Sequence, residues 1–577
     1  MSGESGGEDL ESGVRARMPS GIEPRFANRR RGGDSLRPLL PALALIVLTF
    51  AAHLPALDGW WTTDDPQILL QAIRNSPAET LVSPAAWRSL STASFTPLVT
   101  LSFELDLALF GLRPLFFHQH QIVSIAVVAL LLHVLLQPIC RPVEAWLIAA
   151  AVAVGPPMAL VSESLMIRHY VEGMALALGA LVLWRSGDPR RTRPLRDSGA
   201  ALLYLLAMLA KEVFAPLALL FLADAAIRRA PLRVLALRIV PATLAAAVWL
   251  AWRTAMLGSA GGYAAGEVAL GSGMVRELAE SLWASSPAWA LAGACLLMLL
   301  GWAVGLLRAP REALLLGAAA LVVALLPLAA VAGLPEARYA VVPGMIALVL
   351  AGLGFSRLRG REAVAATAAL LIVHAVAGWA LHRSLDRSGA EMTAEGRYVW
   401  ELPSGAPPLL AGSPGWYLGG LAELRRIAGG GEAPAFFLSR DALVVGAVEP
   451  EEVVRMEGEE PVPARLDPAA LVYLLDERRR RDDSIPLRIA VERRDHVVRW
   501  NLGPEPGELR WLTLPEYDEY EVAPEGSRRV PAAEGAQGFR VRRVLPDGRW
   551  TVSPPLELPL EGEVSWTSPG DDGPSRG

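Results

Sequence analysis

Two adjacent carboxylates, Asp64 and Asp65, are the first residues of the chain whose types and spacing suggest chemistry. They follow the first apolar segment, and Trp60 and Trp61 lie just before them, as is common where a helix leaves a membrane. Two like charges this close raise each other's pKa, which suits a general base, a metal site or a site for a lipid phosphate. With Pro66, however, the same pair is also a good helix start. Both interpretations remain open from these residues alone.

The composition indicates which kind of scaffold must position these carboxylates. Hydrophobic residues make up 52% of the 577 residues and charged residues 20%, against about 25% charge in a typical soluble protein. The apolar residues form blocks of roughly 15 to 22 residues, the length that a helix needs to cross a bilayer. This excludes a purely cytosolic enzyme and a disordered or fibrous chain. The net charge of −5 argues against a nucleic-acid binder. Cys140 and Cys295 lie in or beside apolar segments, so neither a disulfide framework nor a metal knuckle is predicted.

The apolar blocks predict a polytopic α-helical membrane protein with about eleven transmembrane helices and a C-terminal extracytoplasmic soluble domain that is mainly β. Residues 1–37 are rich in Gly, Ser, Glu and Arg and are predicted to be a disordered cytoplasmic tail without a cleaved signal peptide. The predicted helices cover about 39–57, 118–137, 144–160, 166–184, 199–210, 214–227, 235–256, 288–307, 312–333, 339–356 and 362–382.

Alternate loops between these helices carry the arginines, which predicts the orientation. The loops predicted inside contain Arg185, Arg190, Arg191, Arg193 and Arg196, then Arg228, Arg229, Arg233 and Arg238, then Arg308 and Arg311, then Arg357, Arg359 and Arg361. The loops predicted outside are acidic or mixed, with Asp58, Asp64, Asp65, Glu79, Glu163, Glu267, Glu277, Glu280 and Glu336. We therefore expect a bacterial inner-membrane protein whose N-terminus is cytoplasmic and whose C-terminal region is periplasmic or extracellular. The segments at 199–227 are either a short hairpin or one irregular helix, and the arginines that follow favour the hairpin.

The region after the last predicted helix changes character. Residues 383–487 are predicted to be a mixed α/β region, with a helix at 417–428 and strand-like runs at 435–439 and 471–475. Residues 488–577 are predicted to be an antiparallel sandwich followed by a tail, with strands at 497–501, 508–512, 517–522, 538–544 and 550–553. The run from Gly538 to Ser553 resembles the last two strands of a fibronectin type III domain.

The order of elements over residues 38–382 resembles the C-type glycosyltransferases, membrane enzymes that use polyprenyl-phosphate sugars. The similarity is greatest to the protein O-mannosyltransferase-like branch. Four elements carry it: the Asp64-Asp65 loop; Phe95-Thr96-Pro97-Leu98, followed by Leu105-Asp106, Phe110-Gly111-Leu112, Pro114 and Phe117-His118; Ala210-Lys211-Glu212; and Leu334 to Tyr339. Four positions depart from the pattern of the branch and leave the acceptor open: Gln121, Ile125, Pro156-Pro157 and Ala337.

The resemblance implies roles for particular residues. An acceptor hydroxyl would attack the anomeric carbon of a polyprenyl-phosphate sugar at the outer face, with Asp64, or else Asp65, as the base. Glu163 would orient the acceptor or help Asp64 and Asp65 to hold a divalent cation, Mg or Mn, which some relatives need and others do not. Lys211, Arg338, Arg168 and Arg253 would bind the departing lipid phosphate, and Glu212, His118 and Tyr339 would position the substrates. The acceptor would be a protein, a lipid or a glycan.

Simpler interpretations of the same residues remain open. Lys211 and Glu212 could form a local ion pair, Glu163 and Arg168 could pair with each other, and Arg338 could anchor a helix at the interface. His118 and His120 are more typical of packing or capping than of metal binding. At the level of the whole protein, the alternatives are a transporter or flippase for a lipid-linked sugar, a glycan polymerase, or an anchor whose outer domain binds a partner. The apparent absence of internal repeats and of midplane charges argues against the transporter.

Overall fold

The computed structural model describes residues 39–90, 94–258, 288–327, 336–438, 441–446, 452–464, 468–494, 497–514, 519–529, 537–558 and 561–568. The predicted tail over 1–37 and the acidic residues Glu267, Glu277 and Glu280 lie outside these ranges, as do Leu334 and Pro335.

Helices dominate the described chain up to residue 401. They are α1 Leu39–Ala52, α2 Asp65–Arg74, α3 Pro77–Val82, α4 Pro84–Leu90, α5 Pro97–Phe110, α6 Pro114–Leu136, α7 Pro142–Val154, α8 Pro156–Glu163, α9 Arg168–Arg185, α10 Pro194–Ala210, α11 Leu217–Ile227, α12 Leu232–Leu257, α13 Ala288–Arg308, α14 Arg311–Leu325, α15 Val341–Phe355 and α16 Gly360–Glu401. Most begin with proline in the first turn, where its missing N–H costs nothing.

The apolar blocks that were predicted as helices are helical where the structure describes them, except that 144–160 is divided into α7 and α8 and that residues 328–333 of the block at 312–333 lie outside the described ranges. The number of membrane spans is a separate matter. Among the described residues, six helices are long and apolar enough to cross a membrane: Pro114–Leu136, Leu165–Arg185, Leu232–Leu257, Ala288–Arg308, Ala337–Phe355 and Gly360–Glu401. The pair α7 and α8, bent by 41°, would make a seventh. The chain is therefore a multi-pass helical membrane protein, and the figure of about eleven spans remains a prediction.

The bend between α7 and α8 follows from Gly155, Pro156 and Pro157, because proline cannot continue the hydrogen bonding of the preceding helix. The long helix α16 passes directly against this bend at Gly378. A side chain there would meet the carbonyl oxygen of Val154 at 2.2 Å, so only glycine allows the approach. The bend and α16 thereby bring Glu163 and His382 together.

Two regions differ from the expected layout. The loop after the first apolar helix, which was predicted to lie outside, is itself helical and forms α2 to α5 before α6. The last predicted helix, 362–382, does not end there but continues as α16 to Glu401, well past its apolar part.

Beyond α16 the described chain contains three helices and thirteen strands. The helices are α17 Gly415–Ile427, α18 Asp441–Val444 and α19 Pro468–Arg479. The strands are β1 Leu409–Leu410, β2 Phe436–Phe437, β3 Val454–Glu457, β4 Glu460–Pro463, β5 Arg488–Arg494, β6 Val497–Asn501, β7 Glu508–Leu514, β8 Glu519–Val522, β9 Glu525–Arg529, β10 Gln537–Val544, β11 Trp550–Val552, β12 Leu556–Leu558 and β13 Gly562–Thr567. The helix predicted at 417–428 is confirmed, whereas the strand predicted at 471–475 is wrong because these residues belong to α19.

The strands form one small mixed sheet and two antiparallel sheets. The mixed sheet has the order β2-β1-β3-β4. The second sheet has the order β11-β10-β7-β8, with β12 paired to β10, and the third has the order β13-β5-β6-β9. Alternate residues such as Ile489 and Val491 on β5 and Phe539 and Val541 on β10 share one buried core, so the last two sheets pack face to face. The two-sheet arrangement agrees with the predicted sandwich, and the fibronectin type III resemblance remains a prediction.

Candidate active site

The predicted carboxylate pair lies in a tight turn at the start of α2. Thr63 has φ of 40°, a strained value for a β-branched residue. The Asp65 side chain braces the turn, because its Oδ2 accepts hydrogen bonds from the Thr62 backbone N–H at 2.8 Å and from Thr62 Oγ1 at 3.3 Å. Strain of this kind is kept where the surroundings enforce it, and it often accompanies a functional site. Here it presents Asp64 at the N-cap of α2, where its side chain makes no capping hydrogen bond.

The two carboxylates lie in different environments. Asp65 is fully buried, and burial raises the pKa of Asp65 to about 7, which the hydrogen bonds from Thr62 only partly offset. The Asp64 side chain is 36% exposed, and partial desolvation raises its pKa, while Arg338 acts in the opposite direction. Asp64 is thus the accessible carboxylate and Asp65 the supporting one. The helix-start interpretation holds for their position, and it leaves the Asp64 oxygens available.

Arg338, which lies just before α15 in the sequence, faces Asp64. Its Nη1 lies 3.6 Å from Asp64 Oδ2, and its Nη2 donates to Glu336 Oε1 at 2.8 Å. The guanidinium also lies 5.6 Å from the ring centre of Tyr339 and contacts Met166 Sδ. Because its side chain is 23% exposed and the carboxylates that bind it are themselves partly exposed, an incoming anion can compete for it.

Lys211 is the second cation of this region. It ends α10, and its Nζ lies 3.5 Å from Ser94 Oγ and 3.5 Å from Glu212 Oε1. The predicted local ion pair therefore exists. The ammonium has three N–H donors, so these two contacts leave it able to donate a further hydrogen bond. Lys211 Nζ also lies 5.9 Å from the ring centre of Tyr170.

His169 and Tyr170 link the two cations. Lys211 and Arg338 are both close enough to His169 for an electrostatic interaction with its ring, and Arg338 interacts with Tyr170 in the same way. Tyr170 Oη and His169 Nε2 are buried, and neither has a hydrogen-bond partner among the described residues. Arg338 therefore lies beside Asp64, and Lys211 lies on the Tyr170 side of the same region. Sequence reasoning missed this histidine and tyrosine, although they follow the candidate Arg168 directly.

Arg168 lies in a closed network instead. Its guanidinium is fully buried between the rings of Phe103 and Phe117, donates to Asp106 Oδ2 at 2.5 Å, and donates to the Phe117 carbonyl at 2.7 Å. Ser102 and the side-chain oxygen of Gln121 accept its remaining bonds. Arg168 does not pair with Glu163, and every direction of its guanidinium is occupied by protein, which favours a structural role over phosphate binding.

Glu163 pairs with His382 of α16, 219 residues away in sequence, and this contact begins a buried chain of imidazoles. His382 Nε2 lies 3.0 Å from His53 Nδ1, and His53 Nε2 lies 2.8 Å from the carbonyl oxygen of Ala153. A carbonyl only accepts, so His53 Nε2 carries its proton and, in the neutral ring, Nδ1 is an acceptor for His382 Nε2 at 3.0 Å or Ser162 Oγ at 3.1 Å. His53 and His382 were not among the predicted site residues; their only sequence signal is their position at the ends of the first and last apolar segments.

The remaining candidates are spread around this arrangement. His118 is buried, and its Nδ1 lies 2.9 Å from the carbonyl oxygen of Ser162, as expected for a packing role. Arg253 is buried on α12, with its guanidinium 5.8 Å from the Trp249 ring centre. Tyr339 is buried beside Arg338, and Glu212 lies beside Lys211.

A divalent cation at Asp64, Asp65 and Glu163 does not fit these contacts. Asp64 faces Arg338, Asp65 accepts from Thr62, and Glu163 is bound to His382. Among the described residues, no group of three or more His, Cys, Asp or Glu side chains is arranged to hold a metal ion. We therefore derive no chemical step from a metal.

The chain beyond α16 packs directly on the carboxylate turn. Tyr417 of α17 donates to the carbonyl oxygen of Trp61 at 2.9 Å, and Gln67 of α2 donates to the carbonyl oxygen of Trp416 at 2.7 Å. Trp61 is completely buried in this contact rather than lying at a membrane interface. The C-terminal region thus helps to hold the turn that carries Asp64 in position.

Comparisons with known proteins show a similarity at the level of structure. No family model matches the chain, and no curated protein matches it. Among solved structures, the fold is similar to the crystal structure of ArnT from Cupriavidus metallidurans bound to undecaprenyl phosphate, with a TM-score of 0.45 and 13% sequence identity over 73% of this chain and 90% of that chain. Because the TM-score is below 0.5, the function proposed below is based on the residues and contacts of this chain.

Proposed function

We propose that this protein is an inverting membrane glycosyltransferase that moves a sugar from a polyprenyl-phosphate donor to an acceptor hydroxyl. The observation that carries the proposal is the accessible carboxylate of Asp64, 3.6 Å from the partly exposed guanidinium of Arg338. Lys211 extends the cationic region, so one site offers a base next to donors for a leaving phosphate.

Asp64 is the proposed general base. It takes the proton of the acceptor hydroxyl while the hydroxyl oxygen bonds to the anomeric carbon, and the bond from that carbon to the phosphate oxygen breaks. A single displacement of this kind inverts the anomeric configuration. The raised pKa of Asp64 makes it a stronger base than an ordinary aspartate, although it must be ionised to act.

Arg338 and Lys211 are the proposed phosphate ligands. Charge develops on the bridging oxygen and the phosphate as the sugar departs, and cations already placed there lower the barrier. Arg338 is held by Asp64 and Glu336. A donor phosphate would compete with these carboxylates, and a loosened Arg338–Asp64 contact would leave Asp64 free to accept a proton. Tyr170 and His169 add two polar atoms without partners among the described residues.

Glu163 is proposed to orient the acceptor. Its side chain is 13% exposed, and His382 holds one of its oxygens. The other oxygen remains for a hydroxyl of the acceptor. The finer assignment to a protein O-mannosyltransferase-like branch in a bacterial inner membrane is part of this proposal, and the acceptor class stays open among protein, lipid and glycan.

The experiment measures transfer from radiolabelled polyprenyl-phosphate hexoses in proteoliposomes, together with binding of polyprenyl phosphate. We expect Arg338→Ala and Lys211→Ala to weaken binding of the lipid phosphate and to slow transfer. Asp64→Asn should abolish most transfer but retain binding. Asp188→Asn and Arg191→Ala remove an exposed acid and an exposed base in a loop between α9 and α10, and they serve as matched controls.

Two results would contradict the proposal. One is that the wild type transfers sugar and that the Asp64, Arg338 and Lys211 variants transfer it as fast as the two control variants. The other is a wild-type protein that transfers none of several sugars yet moves the lipid between leaflets, which would favour the flippase.

A further inference from the structure

A long apolar groove runs along α9 and α15. None of the residues that line it is a predicted site residue. It has a volume of about 640 Å³, within the range of about 300–1,000 Å³ typical of ligand sites. Its walls come from α6, α9, α11, α13, α14 and α15 and are almost entirely aliphatic. Along α15 it extends from Val342 to Gly354, about 18 Å at the rise of an α-helix, which exceeds the roughly 15 Å of hydrocarbon in one leaflet.

One end of the groove is charged. Arg185, Arg311 and Arg357 line it, and Asp224 is the acidic lining residue. Asp224 is already occupied, with Arg185 Nε at 3.3 Å and Arg228 Nη1 at 3.5 Å. Within the described part of the chain, no carboxylate lies within ion-pair distance of Arg311 or Arg357. The groove therefore joins a dry aliphatic channel to a surplus of positive charge.

We propose that this groove binds a phospholipid with an anionic headgroup, seated in the leaflet that contains Arg185, Arg311 and Arg357, with one acyl chain along α15. The arginines match the phosphate and a negative headgroup, and the aliphatic walls match the chain. The opposite end of the groove lies near Val213 and Val342, within four residues of Lys211 and Arg338, so the three arginines mark the end that is farther from the candidate active site.

The test is native mass spectrometry of the detergent-purified full chain with phosphatidylglycerol or phosphatidylcholine carrying the same acyl chains. We expect phosphatidylglycerol to be retained preferentially. Arg311→Gln and Arg357→Gln should each weaken its affinity by about fivefold, the usual contribution of one arginine near an anionic lipid. Arg308→Gln at the end of α13 is the matched control, because Arg308 does not line the groove.

A second pair of variants tests the channel itself. Ala318 lines the groove and is exposed, whereas its neighbour Ala319 does not line it. Ala318→Phe should fill the channel and remove phosphatidylglycerol retention, while Ala319→Phe should keep it. Equal retention of the two phospholipids, unchanged affinity in both arginine variants, or identical behaviour of the two phenylalanine variants would overturn the proposal. Displacement of phosphatidylglycerol by polyprenyl phosphate would also overturn it, because the groove would then belong to the donor.

Discussion

Two carboxylate–guanidinium pairs of the same chemistry lie close to one segment of chain, yet their surroundings differ. Arg168 and Asp106 have side-chain exposures of 0% and 2%, and the guanidinium is enclosed by two aromatic rings. Arg338 and Asp64 have side-chain exposures of 23% and 36%, and Met166, two residues before Arg168, contacts Arg338. The first pair is saturated by protein, and the second can exchange partners. We infer that the first maintains the architecture and the second performs the reaction.

The largest effect is expected at the open pair. Asp64→Asn should lower the rate of sugar transfer by about 10²–10⁴, the usual contribution of a general base. Thermal stability should change little, because Asp64 is partly exposed and makes no capping bond. Transfer assays and thermal unfolding of the same preparation check this. A loss of transfer that accompanies a loss of folded protein would remove the distinction between the two pairs.

The closed pair should behave in the opposite way. Arg168→Met removes the guanidinium from the buried Asp106, which keeps its contact with His120 Nδ1 at 2.8 Å, and should cost up to about 3–5 kcal/mol in the free energy of unfolding. The double variant Arg168→Met/Asp106→Leu removes both charges and should recover part of that loss. Detergent-solubilised unfolding measurements decide this. If Arg168→Met unfolds like wild type but fails to bind the donor, Arg168 belongs to the active site after all.

The Glu163–His382 pair is intermediate, since one partner is buried and the other is partly accessible. Glu163→Gln should slow transfer by about tenfold, the effect of losing one hydrogen bond to a charged group, while binding of polyprenyl phosphate stays unchanged. His382→Gln should reproduce the effect, because Glu163 then loses the partner that orients its carboxylate. A wild-type rate of transfer in His382→Gln would show that the histidine only packs.

The smallest effect is expected at Asp65, where we predict a pH-dependent change in stability because its buried carboxyl has a pKa of about 7. With a pKa of about 7 in the folded state against 3.8 for an ordinary aspartate, the folded protein keeps a proton that the unfolded chain releases as pH rises between these values. The contribution of this group to stability is therefore complete below about pH 4 and is lost as pH rises towards 7. Asp65→Asn does not titrate, so its melting temperature relative to wild type should rise between pH 4 and 7 and then level off. A difference that does not vary with pH would place the folded-state pKa near the ordinary value.

Much of this arrangement is local in sequence and can be predicted from it. Long apolar runs show which residues lie near helix ends, and on this basis Asp64, Lys211 and Arg338 could all be predicted as candidate site residues. The short apolar run at 471–475 misled, because its length and composition fit a strand as well as the helix α19 that it forms. The burial of Arg168 was also invisible, since its partner Asp106 belongs to another helix, 62 residues away.

Contacts over long separations in sequence are what the pattern does not contain. His382 reaches Glu163 only because Gly378 allows α16 to pass against the bend at Gly155, and none of these residues is marked as a partner by spacing. The same holds for Tyr417, which is 356 residues from Trp61 and ties the C-terminal region to the carboxylate turn. Packing therefore decides which of the predicted charges are used.

The central claim is that ionised Asp64 accepts the proton of the acceptor. The most direct measurement is the pH dependence of single-turnover transfer in proteoliposomes for wild type, Asp64→Asn and Asp65→Asn. We predict that the wild-type rate rises with pH through an apparent pKa above the ordinary value of 3.8 and then reaches a plateau. The same rise should remain in Asp65→Asn and disappear, with most of the rate, in Asp64→Asn. A full rise in Asp64→Asn would contradict the claim.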